Sequence, residues 1–218
     1  LDETRLRVLN EPGRDSKTVS WMHVAVGKKD GRPIVLFHYH MKRSGDVVKE
    51  AIRGFHGYLQ TDGLAAYNSV GAQKGIIHVG CFQHARSNFF EAKKAGNGTP
   101  GLADRALELI GKLFHIEDEL RKSLHNADEF AVARRGQTEP VLKQLHEWLT
   151  EYYPQVPPRS LLGNAIQYCL AEWEKLIRYL DHPLLTPSNN SAENAIRPFV
   201  IGRKNWLFSD SQGGAHAS

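Results

Sequence analysis

The sequence predicts an α/β protein in which a mixed sheet is flanked by helices and an all-helical stretch is inserted before the last helix. Three patterns carry this reading. Three β-branched or alternating runs open the chain, short apolar runs then alternate with helix-spaced segments as far as residue 95, and about eighty residues from 102 onward show helical spacing alone.

Residues 4–9 alternate basic and apolar side chains and read as a strand, followed by a turn at Asn10-Glu11-Pro12-Gly13-Arg14-Asp15. Residues 17–26 and 33–40, rich in β-branched and aromatic types, give two more strands around a turn at Gly27 to Gly31, so the opening is an antiparallel meander. Ser44 caps a helix from Val47 to Phe55, with Val47, Ala51 and Phe55 repeating every four residues. A fourth strand at 57–61, a short helix from Gly63 to Val70, a fifth strand from Gly75 to Cys81 and a basic helix from Phe82 to Ala95 follow. Past Gly96-Asn97-Gly98-Thr99-Pro100-Gly101, helical stripes run over 102–121, 141–152 and 161–180; the last carries Leu162, Ile166, Cys169, Trp173, Ile177 and Leu180. These stripes read as core, not as cofactor boxes. The expected division is 1–101, the first part of a sheet-based core; 102–182, a helical insertion; and 183–218, the return to the core.

A chain of 218 residues with 41% hydrophobic and 24% charged residues has enough apolar material for a sizeable core. The net charge of +4 permits a nucleic-acid partner without demanding one. Cys81 and Cys169 are distant in sequence and suggest a reducing compartment; no apolar run is long enough for a membrane span, and the expected location is cytoplasmic. The chain opens on Leu1-Asp2 and closes on Gly213-Gly214-Ala215-His216-Ala217-Ser218, which reads as a piece of a longer polypeptide. No G-x-S-x-G elbow and no G-x-x-x-x-G-K loop is present, which excludes those two nucleophile and phosphate-binding designs.

The stretch Ser188-Asn189-Asn190-Ser191-Ala192-Glu193-Asn194-Ala195-Ile196-Arg197 starts a helix near Asn190, with Glu193 in its first turn. Taken locally, the favoured reading of Glu193 is a capping box closed with Asn190. Arg197, four residues on, shares its face and is placed to keep the carboxylate ionised; Lys204 projects in a similar direction if the helix survives Pro198, which should end or kink it. Two remote acids change the weight of Glu193. Asp62 ends the run Gly57-Tyr58-Leu59-Gln60-Thr61, and Asp2 heads the first strand, with Glu3 a weaker rival because neighbouring strand residues face opposite ways. An acid at a strand end, one on a neighbouring strand and one opening a late helix can gather oxygen ligands around hard divalent cations. Separated by 59 and 130 residues, Asp2, Asp62 and Glu193 fall where a ribonuclease-H-like sheet brings three acids to one edge.

The runs Leu1-Asp2-Glu3-Thr4, Gly57 to Gly63, Cys81-Phe82-Gln83-His84-Ala85-Arg86, Asn189 to Pro198 and Ile201-Gly202-Arg203-Lys204-Asn205-Trp206-Leu207-Phe208 closely resemble the insertion-sequence-66 family of DDE transposases, over essentially the whole chain. The resemblance implies a ribonuclease-H-like catalytic core with a helical insertion before the final acid, in a bacterial enzyme that works near the nucleoid. By position, Asp2, Asp62 and Glu193 match its metal-binding acids, holding two Mg2+ or Mn2+ ions for phosphodiester cleavage and strand transfer. Many DDE transposases place a basic residue seven after the glutamate; here that position is Val200, and the role passes to Arg197. Implied partners are transposon ends and target DNA, other copies of the chain on that DNA, and accessory proteins of the same element. Upstream zinc- and DNA-binding parts are not in this sequence.

Cys81 and His84 have the C-x-x-H spacing of half a zinc site, but no second pair lies nearby. His84, Arg86, Arg203 and Lys204 are candidate phosphate contacts, against the plain alternative of a solvated basic face, which is the better reading of Lys93 and Lys94. Two other functions fit the same residues: a ribonuclease-H-like nuclease that cuts without joining, and a catalytically silent DNA-binding or assembly module.

Overall fold

The computed structural model describes residues 1–29, 32–96 and 101–217. In chain order these form β1 (Asp2–Asn10), β2 (Val19–Lys29), β3 (Arg32–His40), α1 (Gly45–Ala51), β4 (Gly57–Gln60), a 3-10 turn (Ala65–Tyr67) running into α2 (Asn68–Gly71), and β5 (Ile76–Val79). Then come α3 (Phe82–Ala95), α4 (Leu102–Ser123), α5 (Ala127–Tyr152), α6 (Leu161–Ile177), α7 (Asn190–Trp206), β6 (Ser209–Ser211) and α8 (Gln212–Ala217). The chain divides into two compact units, Leu1–Ile77 with Asn189–Ser218, and His78–Ser188. Parts of two expected connections, Asp30-Gly31 and Asn97 to Pro100, lie outside the described residues, as does Ser218.

In the first unit β1, β2 and β3 form the expected antiparallel meander, with Asp2 opposite Val24 and Trp21 opposite His40. Its first turn is locked by buried Glu11, which accepts hydrogen bonds from Ser20 Oγ and Arg14 Nη1, both at 2.6 Å, and from the Tyr39 hydroxyl. The helix expected as far as Phe55 stops at Ala51, and the chain turns through Gly54 at φ +81°. Side-chain alternation sends Leu6, Val8, Met22, Val24 and Tyr39 to one face of the sheet. Ala215 of α8 joins Leu6, Val8, Met22 and Tyr39, while Ala192 and Ile196 of α7 pack on Val24. A separate cluster of Val48, Leu59, Tyr67 and Val70 seats α1 and β4, with Leu1 and Ile76 against it.

Two sequence expectations are corrected here. The fourth and fifth strands do not extend the main sheet: β4 and β5 pair with each other, and the four-stranded sheet has the order β3-β2-β1-β6, with β6 parallel to β1. The end of β4 is tied to the residue before β1, the Leu1 nitrogen donating to the Gln60 carbonyl at 2.7 Å. The second correction concerns Pro198, expected to end or kink the helix: it does not end α7, which runs on to Trp206. Packing on both sides of it outweighs the lost backbone bond: Ala192 and Ile196 sit on Val24 before it, and beyond it Phe199 packs on the Leu6–Met22 cluster.

The second unit is helical over most of its length, in line with the stripes read from 102–180. Leu109, Ile110 and Leu113 of α4, Leu145 and Leu149 of α5, and Ile166 and Cys169 of α6 are fully buried. Ser160 caps α6 through Oγ, which accepts from Gly163 N at 2.9 Å. Helix α5 begins at Ala127, capped by Asn126, and passes through Pro140. Its buried Arg134 donates to the His182 carbonyl at 2.9 Å and the Leu185 carbonyl at 3.0 Å, with its guanidinium 4.8 Å from the Phe130 ring.

Candidate active site

The three acids singled out above all belong to the first unit. Asp2 lies on β1 in the register that faces α7, since its partner Val24 packs on Ala192 and Ile196. Asp62 follows β4 directly; its Oδ1 accepts from Leu64 N at 3.1 Å, a local Asx-type turn that fixes the carboxyl group. Glu193 lies in the first turn of α7. The three segments meet at Leu1, whose nitrogen donates to Gln60 O at the end of β4 and whose carbonyl accepts from Asn189 Nδ2, the residue capping α7, at 3.3 Å. A peptide unit next to Asp2 is thereby fastened to the segments that carry the other two acids.

The electrostatics follow from that gathering. The Asp2 carboxyl is pushed up to about 6, chiefly by burial, with the charges of Glu3, Glu193 and Asp62 adding to the rise and a bond from Glu3 N at 2.8 Å opposing it. Glu193 Oε1 is buried without a hydrogen-bond partner. Oxygens of Asp2, Asp62 and Glu193 do not all fall within 4.8 Å of one another. Ligands of one magnesium ion sit at about 2.1 Å from it and so crowd within about 4 Å of each other. The donor set is all oxygen and all carboxylate, which fits hard divalent cations.

The capping-box reading of Glu193 is not what forms. Asn189, not Asn190, occupies the cap without a side-chain cap bond, which moves Glu193 one position beyond the place a capping box requires. Arg197 is exposed and makes no ion pair with Glu193, whose Oε1 remains unmatched. Glu3, the rival to Asp2, is fully engaged elsewhere: Arg43 Nε donates to its Oε1 at 2.7 Å and the Tyr67 hydroxyl to its Oε2. That pairing was not read from the sequence, because nothing in the spacing of Glu3, Arg43 and Tyr67 announces it.

The basic candidates divide. Lys204 is exposed in the last turn of α7. Arg203 is half-buried and engaged on β1, donating to Thr4 Oγ1 at 3.0 Å and to the Arg5 carbonyl. His84 and Arg86 lie on α3 in the second unit, His84 half-buried and Arg86 exposed.

Residues 1–217 match the family described as "Transposase IS66 family". Similar proteins include three uncharacterized proteins of Sinorhizobium fredii (strain NBRC 101917 / NGR234). Protein y4qI is 30% identical over 98% of this chain and 41% of its own length, y4hP is 29% identical over 84% and 35%, and y4jD is 28% identical over 98% and 43%. The chain thus spans about two-fifths of the length of the curated relatives it matches. No solved structure matches.

Proposed function

This chain belongs to the IS66 transposase family, and from that premise we propose that it carries the catalytic core of a DDE transposase, cutting phosphodiester bonds at transposon ends and joining them to target DNA. The observation that carries the reading is the gathering of Asp2, Asp62 and Glu193 around Leu1, with Asp2 raised by burial and by neighbouring negative charge and Glu193 left with an unmatched buried oxygen. Carboxylates crowded in this way are costly unless a cation joins them. Asp2, Asp62 and Glu193 would hold Mg2+ or Mn2+; when bound, two such ions supply Lewis acidity to the attacking and leaving oxygens of an in-line displacement.

The protein's own part is to fix the carboxylates and orient the DNA. The turn after β4 aims Asp62, the start of α7 aims Glu193, and the pairing of Glu3 with Arg43 and Tyr67 keeps that acid out of the site. Exposed Arg197 and Lys204 share the Glu193 side of α7 and supply phosphate contacts, with His84 and Arg86 as further candidates. The fold is proposed to be a ribonuclease-H-like core, 1–101 with 183–218, interrupted by a helical insertion at 102–182. Partners are DNA, other copies of the chain on DNA and accessory proteins of the same element, in the cytoplasm at the nucleoid. Among the described residues no helix is long and apolar enough to cross a membrane.

The test is manganese-dependent nicking of a DNA substrate carrying transposon ends, followed by joining of a pre-cut 3′ end to target DNA. Wild type nicks and joins, while Asp62→Asn and Glu193→Gln, folded by circular dichroism, do neither. Nicking that persists in both variants overturns the assignment of the acids; nicking without joining makes the protein a nuclease.

A further inference from the structure

The sheet has a second face, and its chemistry differs from the one under α7. Arg5 stands opposite Trp21 on β2, and Trp21 opposite His40 on β3, so the three form one line across the outer side of the meander. Arg7 lies two residues further along β1 on the same face. Arg43, just past β3, reaches back over Trp21 with its guanidinium 4.6 Å from the ring centroid, and the Arg5 guanidinium is 6.0 Å from it. Lys42 is tied to this line by its amide, which donates to His40 Nδ1 at 2.9 Å. Arg5, Arg7, Lys42 and Arg43 are all exposed.

Within the strands negative charge is scarce, although Glu50 of α1 acts on His38 of the same face. The three strands contain two acids, Asp2 and Glu3, and Asp2 faces α7. Glu3 is on the outer face, but Arg43 and Tyr67 take up its carboxylate. Asp15, in the adjoining turn, has Lys17 beside it. Arg7 uses Nε on the Ser16 carbonyl at 3.1 Å and Arg43 uses one edge on Glu3, which leaves guanidinium N–H groups of both directed to solvent. The Trp21 ring and the strand register hold these cations in place, lowering the entropy cost of binding an anion.

We infer that this outer face of β1, β2 and β3, through Arg5, Arg7, Lys42 and Arg43, binds the phosphate backbone of duplex DNA as a contact surface separate from the three acids. It rests on the reading that the protein acts on DNA, and adds where a duplex is held. Charge complementarity selects the partner: Arg5 and Arg7 are about 6.8 Å apart along a strand, and a nucleic-acid backbone repeats its charge at a regular short spacing. Such contacts position a duplex without reading its sequence.

The test is fluorescence anisotropy of the 218-residue chain with a short random-sequence duplex at several salt concentrations. The double variant Arg5→Ala/Arg7→Ala should weaken binding roughly tenfold at moderate salt and reduce the salt slope by about 2, one for each phosphate that is no longer neutralised. Arg5→Lys/Arg7→Lys should recover most of both, because it restores charge. Lys112→Ala/Lys122→Ala on α4, which removes the same charge away from this face, should bind as wild type does. Unchanged affinity and slope in the alanine variant overturn the inference, as does a lysine variant as weak as the alanine one, or an equal weakening in Lys112→Ala/Lys122→Ala. Nicking that survives in Asp62→Asn and Glu193→Gln sinks the catalytic assignment instead and leaves these binding outcomes intact.

Discussion

Asp2 and Glu3 are chemically near-identical neighbours that the strand sends to opposite faces, and the two sites ask different things of a carboxylate. Glu3 is matched by Arg43 and Tyr67, so Glu3→Gln should cost about 1–3 kcal/mol of stability while metal-dependent nicking continues. Asp2 is the reverse case. Its carboxyl is raised from 3.8 to about 6, so the folded state holds that proton more tightly than the unfolded chain does. Ionising Asp2 therefore works against folding: the cost is absent below about pH 4 and complete above about pH 6, and stability falls as pH rises through that window. In metal-free buffer Asp2→Asn should melt with wild type at the acid end and above it at neutral pH, and it should not nick. Equal melting temperatures at both ends of the window would mean that Asp2 is not strained by its surroundings. Strand alternation alone separated the two acids in the sequence, but the guanidinium and ring that occupy Glu3 come from 40 and 64 residues away, beyond any local pattern.

At the scale of elements, what was legible depended on whether packing left a periodic trace. The stripe of α6 was visible because its buried positions are largely apolar, including Ile166, Cys169 and Leu176. The first half of α5 was not, since its buried positions include Arg134 and Thr138 while apolar Val132 is 74% exposed. Strand β6, three residues of Ser-Asp-Ser, has no hydrophobic signal and exists through its pairing with β1. Pro198 misled for a related reason: a local rule about one missing donor was overridden by long-range packing of α7. The end of that helix stores a cost that can be removed. Leu207 has φ +66°, a left-handed conformation unfavourable for a branched side chain, and is 65% exposed, so little packing is lost with it. Leu207→Gly should therefore stabilise by about 1 kcal/mol, a rise in melting temperature of roughly 2–4 °C. A fall would show that the leucine side chain makes a contribution larger than its backbone strain.

At the scale of the whole molecule, the division into two units makes the metal hypothesis testable in space as well as in magnitude. All three acids belong to Leu1–Ile77 with Asn189–Ser218, and none to His78–Ser188. A cation that binds only the folded site stabilises by mass action, about 1.4 kcal/mol at ten times its dissociation constant, and this free energy goes to the unit that forms the site. Hydrogen exchange with and without Mn2+ should then show added protection at the start of β1, the turn after β4 and the first turns of α7, with the helices α4, α5 and α6 unmoved. Asp62→Asn should abolish the difference without lowering protection in the metal-free state, because it removes repulsion and not packing. Protection that rises uniformly over both units, or that persists in Asp62→Asn, would place the cation somewhere other than these three carboxylates. A site-restricted and Asp62-dependent response ties the gathering of the acids at Leu1 to the chemistry proposed for them, independently of whether a given DNA substrate is turned over.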